Sequence, residues 1–281
     1  VATEKVPGWA GQAWAETIIQ LKVFSRTAVA AFFTVVMPLA FLIIFNLFEI
    51  GPTDGEISAA QFITPSLAVF AMVTATFTNL AIGTAIARDS GILKRVYASP
   101  MPISAHVAGR IFAATIVGLA SVILMLAIGV VLYGVTIIWA QLPVFLLLIL
   151  LGAATFSALG LAVAMVTPSA KAAPAVANAF ILPLVFISGV FFPLEAAPEW
   201  LQTIAKLLPL APLVEAAIDQ FIPGTDPGFP WAAVVSLVVW GLVGTILATR
   251  LFRWEPASPM RRSPRKARGD RKESPLPAEA P

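Results

Sequence analysis

Six stretches of this chain are apolar almost without interruption: 27–48, 62–87, 109–133, Leu142–Val166, 173–192 and 231–252. A bilayer core about 30 Å thick is crossed by roughly 20 helical residues, so each stretch is long enough to span. Pro38, Pro65 and Pro183 fall inside them. Neighbouring helices and water satisfy the backbone groups that a proline frees in a membrane bundle, so these prolines do not disqualify a span. The pattern predicts an all-α polytopic membrane protein whose six transmembrane helices occupy 27–252.

Three segments outside the spans are also patterned. In the first, Trp9–Arg26, the residues Trp14, Ile18, Leu21 and Phe24 share one helical face, with Gln12, Glu16, Lys22 and Arg26 on the other. This predicts an interfacial amphipathic helix within a cytoplasmic N-terminal segment, 1–26, with Trp9 and Trp14 at headgroup depth. The second is RDSGILKRVYASPMP, 88–102. Gly91 permits a sharp turn. Ile92, Leu93, Val96 and Tyr97 then alternate with Lys94 and Arg95 before Pro100 and Pro102 stop any helix. A short helix of this kind at the membrane edge needs a surface to pack on. The third, 193–230, holds two apolar pieces of about ten residues, each too short to cross. Pro198 opens the first, and Pro209 and Pro212 divide it from the second. The pieces predict a re-entrant helical hairpin between helices five and six. Glu215 and Asp219, one turn apart, are expected to face water or a partner.

Composition agrees with the pattern. Of 281 residues, 59% are apolar and 12% charged, against about 25% charged in soluble domains, and the mean hydropathy is +0.90. With no cysteine and a single histidine, His106, disulfides and thiolate or histidine-rich metal sites are excluded. All 18 lysines and arginines except Lys206 lie in segments that six spans place on one side. Such an excess marks the cytoplasmic face, so both termini are expected there. The same bunching argues against a nucleic-acid surface. Residues 253–281, rich in Pro, Arg, Lys and Glu, are expected to be a disordered basic tail.

No full charge falls in the middle of a span. Ion- and proton-driven carriers place ionisable relays there, so the absence favours hydrophobic or amphipathic cargo moved by another energy source. Thr74, Thr78 and Asn79 on helix two, with Asn178, Phe180 and Ser188 on helix five, are the candidate substrate path. Phe186, Phe191 and Phe192 extend that aromatic surface. Gly152, Ala153, Ser157 and Gly160 on helix four are expected to allow close packing. His106, beside Arg110, is expected to meet headgroups or a loop. No nucleophile has a plausible partner base, and no phosphate-cradling G-x-x-x-x-G-K-[ST] occurs.

RDSGILKRVYASPMP and the stretch ISGVFFPLEAAPEWLQTIAKLLPLAPLVEAAID resemble signatures of the type-two ABC transporter permeases, the membrane subunits of bacterial drug, antibiotic and lipid exporters. The resemblance covers about residues 10–252 and is strongest to the daunorubicin-resistance branch. It implies a non-enzymatic permease in the inner (plasma) membrane, working with two separate ATP-binding cassette subunits that hold ATP and Mg. It also implies a second permease chain, identical or paralogous, and contact with membrane lipids. Gly91, Leu93, Lys94, Arg95 and Tyr97 would couple to the ATPase. Pro193, Glu195, Trp200, Pro212 and Glu215 would belong to an outer gate. The pathway would run between two permeases, lined by helices two and five. The N-terminal helix lacks the family's dense basic motif. Two alternatives are a permease of the same fold exporting a lipid-linked glycan and a membrane scaffold without transport.

Overall fold

The structure, a computed structural model, describes residues 7–48 and 58–251, and the side chain of Tyr97 lies outside that set. The expected tail at 253–281 and the last residue of the sixth predicted span are also outside it. Every regular element among the described residues is a helix. An amphipathic α1 (Trp9–Arg26) precedes the first span, α2 (Ala28–Leu47). Next come α3 (Ala59–Asp89), a short α4 (Ile92–Tyr97), α5 (Ile103–Tyr133), α6 (Leu142–Val166) and α7 (Ala173–Ile187). A bent pair, α8 (Glu199–Leu207) and α9 (Leu210–Asp219), leads to the last span, α10 (Trp231–Arg250).

The helix boundaries follow from local chemistry. Ser58 caps α3 by accepting from the Gln61 N–H at 3.2 Å, satisfying one of the four donors a helix start leaves open. Gly134, at φ +67°, ends α5. Its N–H bonds Val130, and the Val135 N–H bonds back to Gly129, a left-handed C-terminal cap. Within α2 the turn Phe32–Val36 widens to a π-helix, and the Met37 N–H reaches back to Phe32. Pro38 is the cause, since it has no N–H to offer Thr34 and its ring would strike that carbonyl in a regular turn. A second π turn, Thr74–Thr78, lies in α3. The Asn79 Nδ2 donates to Thr34 Oγ1 at 3.0 Å, joining the two.

Hydrogen bonds between distant segments sort the helix ends into two groups. At one end, Gln61 donates to the carbonyls of Thr136 (2.8 Å) and Phe221 (2.6 Å), and Gln141 donates to that of Thr225 (2.8 Å). At the other, Arg88 donates to the carbonyls of Ala164, Met165 and Thr167, and Trp9 donates to Ser104. So α3 and α6 run from the first end to the second, and α5 runs back. Helix α10 is parallel to α6: Leu237 meets Thr155, and Gly244, two turns on, packs on Leu159. Helix α2 opposes α3, Thr34 meeting Asn79 and Phe41 meeting Phe70. From Thr167 at one end to Thr225 at the other the chain makes one net crossing, which α7 supplies. The described residues therefore run between the two ends six times, five of them in helices long and apolar enough to cross a membrane, and α1 lies at the same end as Arg250.

Three expectations change. The fifth span is a helix of 15 residues, about 22 Å long at 1.5 Å per residue. Gly189, at φ +81°, turns the chain out of helix, and Val190 and Phe191 continue as buried irregular chain. The third span starts two turns earlier than its apolar run, because His106 and Arg110 are buried in protein. The expected two-piece element is present as a helix pair bent by 95°, an elbow, but only one of its two prolines breaks it. Its break falls at Leu208 and Pro209, whereas Pro212 sits in the first turn of α9, where a missing N–H costs nothing.

Helix α3 is the centre of the bundle, 72% buried over its apolar window, against 17% for each of α2 and α10. Close packing on α6 uses glycine as expected. A Cβ at Gly160 would lie 2.6 Å from the Phe77 carbonyl oxygen, which leaves no side chain room there.

Candidate functional site

The end that holds Arg88 and Trp9 carries two features. Helix α1 lies against α5 along the face that holds Ala13, Glu16 and Thr17. Ala13, Glu16 and Thr17 are buried, while Trp14, Ile19 and Val23 are exposed. The faces do not divide as the sequence pattern predicts: Lys22 and Arg26 of the expected polar face are exposed, Leu21 and Phe24 of the expected apolar face are half-buried, and Glu16 is buried. Thr17 Oγ1 donates to the Gly109 carbonyl at 3.2 Å. A Cβ at Gly109 would fall 2.6 Å from the Ala13 carbonyl oxygen, so glycine there lets the helices touch. Glu16 Oε1 sits 3.1 Å from His106 Nδ1 and 2.7 Å from Gln20 Nε2. His106 is thus a buried partner of α1 rather than a headgroup or loop contact. The outward side of α1, with Trp14, Ile19 and Val23 beside Lys22 and Arg26, suits the membrane interface.

Burial alone would raise the Glu16 carboxyl. The hydrogen bonds from His106 and Gln20 and the nearby charges of His106 and Arg110 outweigh it and hold the carboxyl below the ordinary carboxylate range. A depressed carboxyl stabilises the fold above its unfolded value and loses that contribution as pH falls through its folded value. Glu16→Gln should therefore lower the thermal midpoint near neutral pH, with a cost of about 1.5–3 kcal/mol for a charged hydrogen bond lost. Unfolding scans over a pH series should show the deficit closing below the ordinary carboxylate range. An equal deficit at all pH values would contradict this role.

The second feature is α4. Gly91, at φ +73°, turns the chain directly from α3 into it, a conformation that costs glycine nothing. Leu93 is 1% exposed. It anchors α4 to the bundle and is not the outward contact its place in the loop suggested. The outward face is Ile92, Lys94 and Arg95.

At the opposite end, the elbow and the chain after α7 line a half-open pocket of about 140 Å³. Pro193, Glu195, Glu215, Asp219 and Ser188 line it together with Phe62. Trp200 stands apart on exposed α8, and Pro212 is half-buried. Helix α9 is almost wholly buried, whereas only Ala205 of α8 is. The Trp240 Nε1 donates to the Leu207 carbonyl at 2.9 Å, next to the bend.

The family described as ABC-2 type transporter matches residues 11–222, from α1 through the end of the elbow. The chain belongs to this family. Two relatives agree. The Bacillus subtilis (strain 168) chain named transport permease YvfS is 21% identical over 243 residues, 86% of this chain and 97% of that one. The Cyanophora paradoxa chain named transport permease ycf38 is 29% identical over 211 residues, 70% of this chain and 68% of that one. This ABC-2 chain is accordingly a multi-pass membrane subunit of an ABC transporter.

Within the ABC-2 chain, the expected substrate-path residues do not form one cluster. Thr74 is buried and gives its hydrogen to the Phe70 carbonyl at 2.9 Å. Thr78 and Asn79 are half-buried, Asn79 bonded to Thr34. Asn178 and Phe180 are exposed on α7, and Ser188 belongs to the pocket at the elbow. The aromatic set divides too. Phe191 is the hub of a ring cluster, with centroids 5.4–5.8 Å from Phe41, Phe45, Phe70 and Phe186. Phe180, Phe186 and Phe192 remain exposed. Sequence reasoning missed the Glu16–His106 contact and the burial of Arg88. The four-residue spacing of His106 and Arg110 on an apolar helix was the available signal. Among the described residues no group of His, Cys, Asp or Glu is set to hold a metal ion.

Proposed function

We propose that this subunit is the permease of an exporter driven by separate ATP-binding cassette subunits, and that it moves hydrophobic or amphipathic compounds such as drugs, antibiotics or lipids out of the cell. The carrying observation is α4, a short helix presenting Ile92, Lys94 and Arg95 outward at the end of the bundle that also holds α1. An apolar side chain flanked by two cations suits a mixed apolar and acidic protein surface better than water. The ATPase would hold ATP and Mg and meet α4, with Gly91 as its hinge, Leu93 as its anchor and Lys94, Arg95 and Tyr97 as its contacts. The end bearing α1 and α4 is read as cytoplasmic in the plasma membrane, because the basic residues crowd it.

A second permease chain would cover the exposed face of α7. Asn178 lies on that face, and an amide facing lipid is costly unless protein or a water-filled path covers it. Cargo would pass along this surface and leave past the elbow. Pro193, Glu195 and Glu215 would shape the exit, Trp200 would mark the arm that moves, and Pro212 would begin the fixed arm.

The topology has its own check. Reporter fusions at Val135 and Asp226 should read external, and a fusion at Ser169 internal; the opposite pattern would reverse the orientation. The transport reading is tested by reconstituting the chain with its ATPase in liposomes and following ATP-driven movement of cationic and neutral amphiphiles, fluorescent phospholipids and a lipid-linked glycan. Movement of amphiphiles or phospholipids supports the proposal. Movement of the glycan alone, or no ATP-dependent movement, contradicts it.

A further inference from the structure

We propose that Arg88 is a positioning residue that makes the fourth span, α6, move as one body with α4; the functional half of this claim rests on the reading that α4 meets the ATPase. Arg88 lies in the last turn of α3 and is 1% exposed. Its guanidinium donates to the Ala164 and Met165 carbonyls at 3.0 Å each and to the Thr167 carbonyl. Ala164 and Met165 are among the last carbonyls of α6, which have no partner within their own helix. A cation at a helix C-terminus is also favoured by the helix dipole. The next residue, Asp89, accepts from the Ala170 N–H at 2.8 Å. Two consecutive residues of α3 therefore grip the chain at and just after the end of α6.

Little chain separates this clamp from α4. Ser90 and Gly91 alone stand between Asp89 and Ile92, and buried Leu93 holds the far side. A lysine could not reproduce the grip, because it is a single point of charge whereas guanidinium is a planar fork of donors. From the clamp, α6 runs the length of the bundle to the elbow. A Cβ at Gly152 would lie 2.8 Å from both Leu213 of α9 and Met72 of α3. Displacement of α4 is thus delivered to a helix that touches the outer element directly. A clamp serving only to hold the fold would leave α6 and α4 free to separate when the ATPase closes.

Spin labels decide between the two. The chain has no cysteine, so Ala98→Cys, just after α4, and Lys171→Cys, just after α6, give one defined pair at exposed sites. Distances are measured on the permease alone in liposomes, and on its complex with the ATPase at rest and trapped with ATP and vanadate. The unmodified clamp should give one narrow distance, constant across all three samples to about 1–2 Å, the scale of small helix shifts. Arg88→Ala should broaden the distribution in the permease alone. Arg88→Lys, the variant to use if alanine prevents folding, should give a distance that changes on trapping. A narrow, state-independent distance in the Arg88 variants would overturn the proposal. So would a change of about one helical turn, 5 Å or more, on trapping the unmodified chain. If no ATPase binds the unmodified chain, the α4 reading fails, and the permease-alone samples still decide the clamp.

Discussion

Replacing Ile92 by Asp and both Lys94 and Arg95 by Glu should abolish ATP-driven transport in a chain that still inserts and folds. All three side chains point outward from α4, so the fold does not depend on them. Anchoring residues at a protein interface each contribute about 2 kcal/mol or more, and every 1.4 kcal/mol is about tenfold in affinity. Three such losses, two of them charge reversals, should reduce ATPase co-purification by at least about a hundredfold. Leu93→Asp is a different experiment. It would place a charge at a position 1% exposed, so it should fail at folding rather than at partner binding. Size-exclusion profiles and ATPase co-purification, run side by side, separate the two failures. A triple variant that transports normally would remove α4 from the coupling surface.

The second large effect is expected at the elbow. Its arms differ: α9 is packed into the core and pinned at Phe221 by Gln61, while α8 is exposed along most of its length. A moving gate would therefore swing α8 about Leu208 and Pro209 and leave α9 in place. Cysteines replacing Trp200 on α8 and Glu215 on α9, both exposed, report this without background labelling. Val214 is unsuitable because it is 1% exposed. Trapping ATP in the partner should change the labelling rate at position 200 by about tenfold or more, equivalent to about 1.4 kcal/mol of shifted population, and leave position 215 unchanged. Equal rates in both states at position 200 would make the elbow a rigid plug.

Much of this architecture is legible in the sequence because a membrane simplifies the problem. Apolar length alone locates the spans, and the chain must satisfy its backbone within them. The same reasoning located the short loop helix and the two-part element before the last span. It failed where protein, not lipid or water, surrounds a residue. Glu16 and His106 are each polar and near the interface, so nothing in the pattern of either helix shows that they meet. Leu93 is apolar in a polar loop, which suits an outward docking contact and an inward anchor equally well; only packing assigns it to the second. Phe191 and Phe192 are adjacent and identical in type, yet one is the hub of a ring cluster and the other is exposed. The expected substrate path scattered for a related reason: a threonine in a span can close its hydroxyl on its own helix, as Thr74 does, and a sequence does not distinguish that from a hydroxyl offered to cargo.

The central claim is that a separate ATPase docks on α4, and site-specific photo-crosslinking tests it most directly. A photoreactive side chain at Arg95, in cells expressing the full chain with its ATPase, should yield one adduct with a polypeptide carrying a Walker motif. That adduct should disappear on substituting Ile92→Asp. Crosslinks to lipid alone, or an ATPase adduct that persists undiminished in that variant, would contradict the account.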